Sequence, residues 1–453
     1  MYHENPPCIL TIAGSDSGGG AGIQADIKTI SALGGYGLSV LTALTAQNTL
    51  GVQGIHPVPA EFVRAQMDSV LSDFPVQAAK TGMLFSKEII AAVADSLQDR
   101  SFPLVVDPVC VSQTGDRLLE EEAIHALREK IIPLADLITP NRPEAELLTG
   151  KKIEGTEEIA SAAESFFSMG AKAVLIKGGH FQSERMRDWL FLPGKEPVCA
   201  EKEKIPTSRT HGTGCTLSAA LAACLGRKMD MPDALLRSRD FLHLSIKAAF
   251  ALGSGQGPVN HLAEQIKNNA RQEVLQEMED LRDQLIQGNK LGKLVPEVGM
   301  NVARGLPWPE RFRDVAAFDG RIRRTKSGHL VAGCPSFGAS SHMAKVLLAG
   351  KSMNPDINCV ANVRYNQAGL RAIKDLGLPV AWFDRADEPE EVKKREGSSL
   401  EWGTLRALQG HGYPKTVKVV ADGGEAGKEP MLRLLGRDCS EILDLLLRLA
   451  ETA

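Results

Sequence analysis

The chain has 453 residues, 43% of them hydrophobic, with a formal net charge of −4 and an isoelectric point near 6.2. One hydrophobic core rarely organises a chain of this length, so two domains are expected, and the slight negative charge gives no electrostatic reason to expect nucleic acid or a membrane surface as a partner. The lack of a long apolar stretch and the eight singly spaced cysteines predict a reduced, cytoplasmic protein without a cysteine-based metal site.

The first predicted element is a buried strand over 8–13, which leads into a glycine-rich loop, 14–22, and then a helix over 23–33. Glycine relieves crowding where the backbone approaches a ligand or packs tightly, so the loop suggests that a small molecule binds nearby. Its spacing fits neither the dinucleotide fingerprint nor the P-loop pattern. The loop therefore predicts a site without identifying its ligand.

Short apolar runs then alternate with amphipathic helical stretches, which is typical of a parallel α/β sheet. The further predicted strands are 38–44, 78–81, 104–106, 137–139 and 173–177. Polar or special residues follow their carboxyl ends, namely Gln47, Met83, Asp107, Asn141 and Lys177 with His180 beyond it. Because the carboxyl ends of parallel strands form the ligand crevice, these residues predict one active-site rim.

The stretch 210–220, THGTGCTLSAA, places Gly212 and Gly214 directly before a helix-forming segment. Unpaired backbone N–H groups and the positive end of a helix dipole converge there, which favours an anion, although an ordinary glycine turn capping a buried helix is the alternative. Cys215 lies in the first turn, where it is either a thiolate or a neutral thiol beside a negative substrate. His211 and His180 flank the stretch, and neither is expected to transfer protons.

Six motifs in order resemble the hydroxymethylpyrimidine and phosphomethylpyrimidine kinases of thiamine synthesis, which belong to the ribokinase superfamily. The resemblance covers about 9–262. It implies a ribokinase-like domain over 1–262, with a mainly parallel sheet and flanking helices, that phosphorylates the pyrimidine twice with ATP and Mg²⁺. The motifs are 13–26 (AGSDSGGGAGIQAD), 45–49 (TAQNT), 80–84 (KTGML), 139–144 (TPNRPE), 177–180 (KGGH) and 211–215 (HGTGC).

The resemblance also implies roles for individual residues. Residues expected to bind the pyrimidine are Gly14, Asp26, Gln47 and Met83. Residues expected near ATP and magnesium are Lys177, Asn141, Thr213 and Glu144. Asp107 is expected to position magnesium because it lies at a strand end. The alternatives are a helix-surface carboxylate for Asp26, an N-terminal helix charge for Glu144 and a strand terminator for Asp107.

Phosphoryl transfer requires positioning and charge neutralisation, which the backbone from Gly212 through Thr213 and Gly214 to Cys215, Lys177 and a bound cation would supply. Most relatives in the superfamily carry aspartate at the position of Cys215, where it acts as the base for a hydroxyl acceptor. The second acceptor here is a phosphate that needs no base and that a carboxylate would repel. We hypothesise that the thiol tolerates this dianionic acceptor.

The second half, 263–453, begins with a predicted amphipathic helix over 262–287, which is either a connecting segment or, as its apolar stripe favours, a packed first helix. Strands are predicted over 360–362, 380–383 and 417–421. Cationic and glycine-rich stretches recur at 319–324 and 335–342, at Arg364 and Arg385 after strands, and at 422–431. This pattern predicts a phosphate or diphosphate site, the alternative being surface salt bridges.

These motifs resemble the ThiN-type thiamine-phosphate synthase domain over about 295–447. The matching segments are 296–301 (PEVGMN), 320–321 (GR), 337–342 (FGASSH), 362–364 (NVR), 384–385 (DR) and 427–431 (GKEPM). The resemblance implies a second α/β domain that joins the pyrimidine diphosphate to hydroxyethylthiazole phosphate. Arg321 would neutralise the leaving diphosphate and His342 would bind a phosphate or protonate the leaving group, with Arg364, Arg385 and Lys428 as further substrate-binding residues.

Two other functions remain open at this stage. ThiN-like domains also sense thiamine phosphate in transcription regulators, but this chain has no evident helix-turn-helix and carries both Arg321 and His342, which favours an enzyme. Pyridoxal kinase shares the fold of the first half. A homodimer is expected by analogy with ribokinase relatives.

Overall fold

The computed structural model describes residues 5–110, 119, 121–178, 185–287, 289–394, 398–425 and 427–452. They form two compact units, Met1–Gln265 and Ile266–Ala453. His180 lies outside the described residues. None of the helices in the described ranges combines the length and the apolar character needed to cross a membrane.

The first unit is built on a nine-stranded sheet in the order β3-β2-β1-β4-β5-β6-β7-β8-β9. The six strands from β2 to β7 in that order are parallel, and β3, β8 and β9 pair antiparallel at the two edges. The predicted mainly parallel sheet is therefore confirmed. The strands are β1 Cys8–Asp16, β2 Tyr36–Asn48, β3 Gly51–Pro57, β4 Val76–Thr81, β5 Leu104–Val106, β6 Leu137–Ile138, β7 Val174–Ile176, β8 Arg185–Phe191 and β9 Val198–Glu203.

Helices cover both faces of this sheet. Neighbouring residues of a strand point to opposite faces, and in β1 Ile9 joins one hydrophobic cluster with Leu217 and Leu221 while Leu10 joins another with Ile90 and Val93. The helices are α1 Gly22–Ala32, α2 Ala60–Asp73, α3 Lys87–Leu97, α4 Glu121–Ala126, α5 Arg142–Thr149, α6 Thr156–Ser168, α7 Thr213–Gly226 and α8 Met231–Lys247. The two helical layers leave the carboxyl ends of the parallel strands open to a ligand.

The second unit contains a seven-stranded sheet in the order β14-β11-β10-β15-β18-β17-β16, with a separate two-stranded ribbon of β12 and β13. All neighbours in the larger sheet are antiparallel except β16 and β17. This is an α/β unit, but its sheet is not parallel. The strands are β10 Val302–Gly305, β11 Val315–Phe318, β12 Arg323–Arg324, β13 Leu330–Val331, β14 Pro335–Phe337, β15 Cys359–Arg364, β16 Val380–Phe383, β17 Val419–Asp422 and β18 Met431–Gly436.

The long helix α9 packs as the apolar stripe predicts. Val274, Met278, Leu281 and Leu285 are buried in the core of the second unit, so this part of α9 is a packed helix. The helices are α9 Ala263–Gln287, α10 Ser341–Met353, α11 Gln367–Asp375, α12 Glu390–Lys393, α13 Ser399–Gly410 and α14 Cys439–Thr452.

Candidate functional site

A cavity of about 640 Å³ lies at the carboxyl ends of the parallel strands in the first unit. The structure brings eleven of the predicted site residues together on its wall. They are Gly14, Gln47, Met83, Asp107, Asn141, Glu144, Lys177, Gly212, Thr213, Gly214 and Cys215. Residues as far apart in sequence as 14 and 215 meet here because the parallel strands all end at one edge of the sheet.

One side of the cavity presents Gln47 and Met83. The Gln47 side chain oxygen accepts a hydrogen bond from the Thr45 hydroxyl (3.1 Å), while its amide nitrogen makes no hydrogen bond with the described residues. Gly14 packs directly against Met83, because a Cβ at position 14 would lie 2.5 Å from the methionine methyl carbon and would displace that side chain. This side therefore offers a free amide donor next to the apolar side chain of Met83, a combination that suits a heteroaromatic ring.

Asp26 does not lie on this wall, contrary to expectation. Its side chain is fully buried, and its Oδ2 atom accepts hydrogen bonds from the Thr11 hydroxyl (2.6 Å) and from Lys80 Nζ (2.8 Å). Burial raises the pKa of Asp26 more than Lys80 lowers it. For Lys80, burial opposes the charge but the neighbouring Asp26 raises the pKa to about 12. Asp26 therefore anchors a buried lysine whose side chain borders the cavity.

Another part of the cavity wall carries Lys177 between two carboxylates. Its Nζ atom lies 3.0 Å from Asp107 Oδ1 and 3.7 Å from Glu144 Oε2. Asp107 Oδ2 accepts a hydrogen bond from the Ser218 hydroxyl of α7 (3.1 Å), so this carboxylate is held against the start of that helix. Positive and negative groups thus meet where a phosphate chain and its cation would lie.

Asn141 and Glu144 form a reciprocal cap at the start of α5. Asn141 Oδ1 accepts from the Glu144 backbone N–H (2.9 Å), and Glu144 Oε2 accepts from the Asn141 N–H (2.7 Å). The N-terminal helix charge considered for Glu144 is therefore present, and the same side chain borders the cavity. Burial, opposed by Lys177 and reinforced by Asp107, raises the pKa of Glu144 to about 7.

No group of three or more histidine, cysteine, aspartate or glutamate side chains capable of holding a metal occurs in the described ranges. The residues expected to hold the metal, Asp107 and Glu144, provide two carboxylates. This donor set fits Mg²⁺, which typically takes one or two protein carboxylates and completes its shell with water and substrate phosphates.

The glycine turn before α7 has the geometry of an anion site. Gly212 has φ +83°, and a Cβ there would lie 1.8 Å from the carbonyl oxygen of Gly20, so only glycine fits. The N–H groups of Thr213 and Thr216 bond to Thr210 and Gly212. The N–H groups of Gly214 and Cys215 have no acceptor among the described residues and lie at the cavity wall.

Cys215 is a neutral thiol in this environment. Burial raises its pKa to about 11, although the nearby Lys80 lowers it. Of the two states considered from the sequence, the structure therefore supports the thiol at neutral pH rather than the thiolate.

A second cavity, of about 390 Å³, lies in the second unit and contains Arg321 and His342. Its lining residues are Asn301, Phe318, Gly320, Arg321, Arg323, Ala339, Ser340, Ser341 and His342, none of which is acidic. Helix α10 begins at this cavity with Ser340 as its cap, accepting from the Met343 N–H (3.3 Å). Two arginines, a histidine and a helix start make this an anion-binding environment.

Arg321 is held in a strained conformation. It has φ +65° directly after Gly320 at +71°, and its Nη1 atom donates to the carbonyl oxygen of Val298 (2.6 Å). Residues other than glycine rarely adopt this left-handed region, and such strain is concentrated at functional positions. Beneath it, buried Asn301 bonds to both the N–H and the C=O of Phe318 (3.0 and 2.9 Å).

Three arginine or lysine residues predicted to bind substrate do not line this cavity. Arg364 is exposed, 3.7 Å from Glu297, and Lys428 lies 3.2 Å from Glu425. Arg385 is buried, with Nε 2.7 Å from Asp422 Oδ1. For Arg364 and Lys428 the structure contains the surface salt bridges considered as the alternative from the sequence, whereas Arg385 forms a buried ion pair that was not anticipated.

Sequence reasoning missed several polar residues on the wall of the first cavity. Lys80 stands out in retrospect as a charge within the apolar strand VQAAKT, which signals a buried partner. Asp16, Asp188 and Arg239 also line the cavity, with Arg239 Nε 3.1 Å from Asp188 Oδ2. Their pairing is not visible in any local pattern.

Comparison with known proteins gives two family matches. The family described as phosphomethylpyrimidine kinase matches residues 16–260, and the family described as thiamine-phosphate synthase ThiN matches residues 277–448. A hydroxymethylpyrimidine/phosphomethylpyrimidine kinase of Rhizobium meliloti is 51% identical over 255 residues, covering 56% of this chain and 96% of the relative. The bifunctional thiamine biosynthesis protein ThiED of Geobacter sulfurreducens is 49% identical over 255 residues, 56% of this chain and 52% of the relative.

Solved structures similar to the chain include pyridoxal kinases. That of Bacillus subtilis in an ADP complex is 36% identical with a TM-score of 0.54, covering 58% of this chain and all of that one. The Staphylococcus aureus enzyme in complex with AMP-PCP and pyridoxal is 32% identical with a TM-score of 0.53, covering 58% of this chain and 95% of that one. The first unit therefore has a ribokinase-like fold.

Proposed function

The chain belongs to the phosphomethylpyrimidine kinase family, and we propose that its first cavity phosphorylates 4-amino-5-hydroxymethyl-2-methylpyrimidine twice. The protein is a transferase of thiamine biosynthesis, with a kinase half and a thiamine-phosphate synthase half. The observation that carries the proposal is the meeting of Gln47 and Met83 with Lys177 and the start of α7 in one cavity. We assign the kinase to 1–262 and the synthase to 263–453.

A kinase of this family uses ATP, and we propose that Mg²⁺ accompanies it. Lys177 would contact the ATP phosphates, with Asn141 and Thr213 beside them, and Asp107 and Glu144 would hold the ion. Bound Mg²⁺ would neutralise charge on the phosphates that are being transferred. In the protein itself, Lys177 and the N–H groups of Gly214 and Cys215 supply the remaining positive charge.

The two acceptors make different demands on Cys215. The hydroxymethyl group must lose a proton when its oxygen attacks the γ-phosphorus, whereas the phosphate acceptor of the second step is already ionised near neutral pH. A thiol whose pKa is raised to about 11 carries no charge at neutral pH and does not repel the phosphate. The neutral thiol therefore supports the hypothesis that position 215 accommodates the second step.

In the second unit, Arg321 and His342 would act on the pyrimidine diphosphate. The bond between the methylene carbon and the diphosphate oxygen breaks with its electron pair leaving on the diphosphate, and the thiazole nitrogen then supplies the pair for the new C–N bond. Arg321 and Arg323, which belong to a cavity whose described lining residues include no carboxylate, would stabilise the departing charge. His342 would bind a phosphate or protonate the leaving group.

The test is to supply the purified full chain with the hydroxymethylpyrimidine, hydroxyethylthiazole phosphate and MgATP and to follow the products by mass spectrometry. Thiamine phosphate is the expected product. If only the pyrimidine diphosphate accumulates, the second unit is a sensor and the synthase assignment fails. If no phosphorylated pyrimidine forms, the kinase assignment fails.

A matched pair of variants locates the second reaction. Arg321→Ala should accumulate the pyrimidine diphosphate without converting it, because the kinase half is intact. Arg364→Ala removes an exposed arginine that lies 3.7 Å from Glu297 and away from the cavity, so it should retain synthase activity. Equal losses of synthase activity in both variants would contradict the assignment of the synthase site to the Arg321 cavity.

Pyridoxal phosphorylation is a second candidate for the first cavity, because several of the similar solved structures are pyridoxal kinases. The free amide of Gln47 suits a ring edge that presents hydrogen-bonding atoms, which both the aminopyrimidine and pyridoxal have, so this contact does not separate the two acceptors. Comparing kcat/KM for the two acceptors decides between them. A higher value for pyridoxal would replace the pyrimidine assignment.

We further propose a cytoplasmic homodimer that acts on small molecules. Its eight cysteines are free thiols, which suits a reducing compartment. Light scattering of the purified chain measures the oligomeric state, and a monomeric mass at micromolar concentration would contradict the dimer.

A further inference from the structure

Asp16, the last residue of β1, is a buried carboxylate that collects four hydrogen bonds. Its Oδ1 atom accepts from the Gly18 N–H (2.8 Å), and its Oδ2 atom accepts from the N–H groups of Gly20 (2.9 Å) and Ala21 (2.8 Å). Oδ2 also lies 2.9 Å from His211 Nε2. This one side chain therefore fixes the glycine loop and joins it to the residue that precedes Gly212.

The charge state of Asp16 fixes the direction of its bond to His211. Burial alone would raise the pKa of Asp16, but the hydrogen bonds from His211, Ala21 and Gly18 outweigh it and lower that pKa. An ionised carboxylate only accepts hydrogen bonds, so Nε2 of His211 carries the proton and donates it. A neutral imidazole in this tautomer is sufficient for the contact.

The two loops also touch through their backbones. A Cβ at Gly20 would lie 2.3 Å from His211 Cδ2, and a Cβ at Gly212 would lie 1.8 Å from the Gly20 carbonyl oxygen. The His211 N–H is held in turn by the carbonyl oxygen of Gly257 (3.2 Å). The glycine turn that opens α7 therefore takes its position from the Asp16 loop.

The same loop reaches the other side of the cavity through Ser17. The Ser17 hydroxyl donates to the Gln47 carbonyl oxygen (2.8 Å) and accepts from the Gln47 N–H (2.8 Å). A path thus runs from Gln47 to His211, because Ser17 is hydrogen-bonded to Gln47, is joined to Asp16 by the peptide bond, and Asp16 is hydrogen-bonded to His211. Its two ends are the residue that faces the acceptor ring and the turn that faces the phosphate.

We infer that Asp16 and His211 are positioning residues that fix the N–H groups at the start of α7 relative to the acceptor pocket. The inference rests on the proposed kinase function of this cavity. Misplacing a reacting group by about 1 Å lowers a rate by about a hundredfold, so a side chain that only holds the turn still affects turnover. His211 needs to supply one N–H at the Nε2 position, and it transfers no proton in the reaction.

Three variants of the full chain separate positioning from other roles. His211→Leu removes the donor, His211→Gln retains an amide N–H near the position of Nε2, and Asp16→Asn removes the ionised acceptor. His125→Leu is the control, because His125 is an exposed residue of α4 that lies near Glu129 and does not border the cavity. We measure kcat and KM for the hydroxymethylpyrimidine and for MgATP, together with the thermal midpoint.

Positioning predicts that His211→Leu and Asp16→Asn lower kcat by about ten- to a hundredfold with KM for MgATP within about threefold of wild type. His211→Gln should recover most of kcat with an unchanged pH profile, and His125→Leu should match wild type. Equal losses in His211→Leu and His211→Gln would indicate chemistry that needs the imidazole, and an unchanged kcat in His211→Leu would remove the role altogether. A wild-type protein that phosphorylates no pyrimidine refutes the proposed function instead.

Discussion

Replacing Lys80 with methionine should destabilise the first unit by about 3–5 kcal/mol, the range measured when one partner of a buried ion pair is removed. Both side chains of the Lys80 and Asp26 pair are inaccessible to solvent, and Nζ lies 2.8 Å from Oδ2. In the variant, the only donor left to Asp26 within the described residues is the Thr11 hydroxyl, and Oδ1 is already unpaired. A buried charge would remain with one hydrogen bond.

The comparison variant is Arg64→Met, which breaks an ion pair of similar length, 2.9 Å, in which the two side chains are 47% and 49% exposed. Pairs of this kind contribute about 0–1 kcal/mol. Urea unfolding of the full chain, with hydrogen exchange of peptides from β1 and β4 reporting on the first unit, measures both free energies of unfolding. The Lys80→Met penalty should shrink as pH falls, because protonation neutralises the orphaned Asp26.

The double variant Lys80→Met with Asp26→Leu removes both charges and should recover most of the loss, since apolar replacement of a whole buried pair is often neutral. Two results would refute the reasoning. One is a Lys80→Met penalty no larger than that of Arg64→Met. The other is a double variant that is less stable than Lys80→Met alone.

Three further changes test other parts of the structure. Burial, with a small contribution from Lys28, lowers the pKa of His261 to about 4. The stability that the neutral imidazole contributes is therefore complete above about pH 6.5 and is lost as pH falls through 4. His261→Gln should remove up to about 3 kcal/mol of this pH-dependent loss, measured as the free energy of unfolding by urea titration at pH 7 and pH 4. An unchanged pH dependence would contradict this. Arg321→Gly should be about 1 kcal/mol more stable than Arg321→Ala, the reverse of the usual order, because only glycine relieves φ +65°. The opposite order in thermal unfolding would show that Arg321 is unstrained. Cys215→Asp should lower the rate of the second phosphorylation more than that of the first, and equal loss in steady-state assays of the two acceptors would refute the charge argument.

The sequence predicts the first site well because that site is made by topology. Gln47 lies at the carboxyl end of β2, and Asp107 and Lys177 each follow a strand. A parallel sheet brings all such positions to one edge whatever their distance in sequence. The glycine turn before α7 is equally predictable, because its residues are consecutive in the sequence. The positions of these groups therefore follow from strand order alone.

The charges that pair across the fold were not predictable in the same way. Asp26 and Lys80 are 54 residues apart and Arg385 and Asp422 are 37 apart, and nothing in either local pattern indicates that they meet. A carboxylate at a helix position and an arginine after a strand have the same local appearance whether they bind a ligand or each other. Asp26 and Arg385 were assigned to ligand sites for that reason.

The antiparallel sheet of the second unit was missed for a related reason. Its strands β10 and β11 are four residues each, VARG and VAAF, and are too short to reveal a period of two. Arg304, which is held by Glu277 of α9, also interrupts the apolar pattern of β10. Pairing across β10, β11 and β15 makes these segments strands, and pairing is a property of the folded chain.

The two cavities use different groups to offer positive charge to a phosphate. Both have a helix start at the cavity wall, α7 in the first unit and α10 in the second, and in both a left-handed glycine, Gly212 or Gly338, precedes that helix. In the first cavity a lysine lies between two carboxylates, which suits a substrate that brings its own metal ion. In the second, the described lining residues include arginines and no carboxylate, so the protein supplies the positive charge directly. This difference matches the chemistry on each side, because a kinase must hold a nucleotide with its cation, whereas a synthase must stabilise a diphosphate only as it leaves.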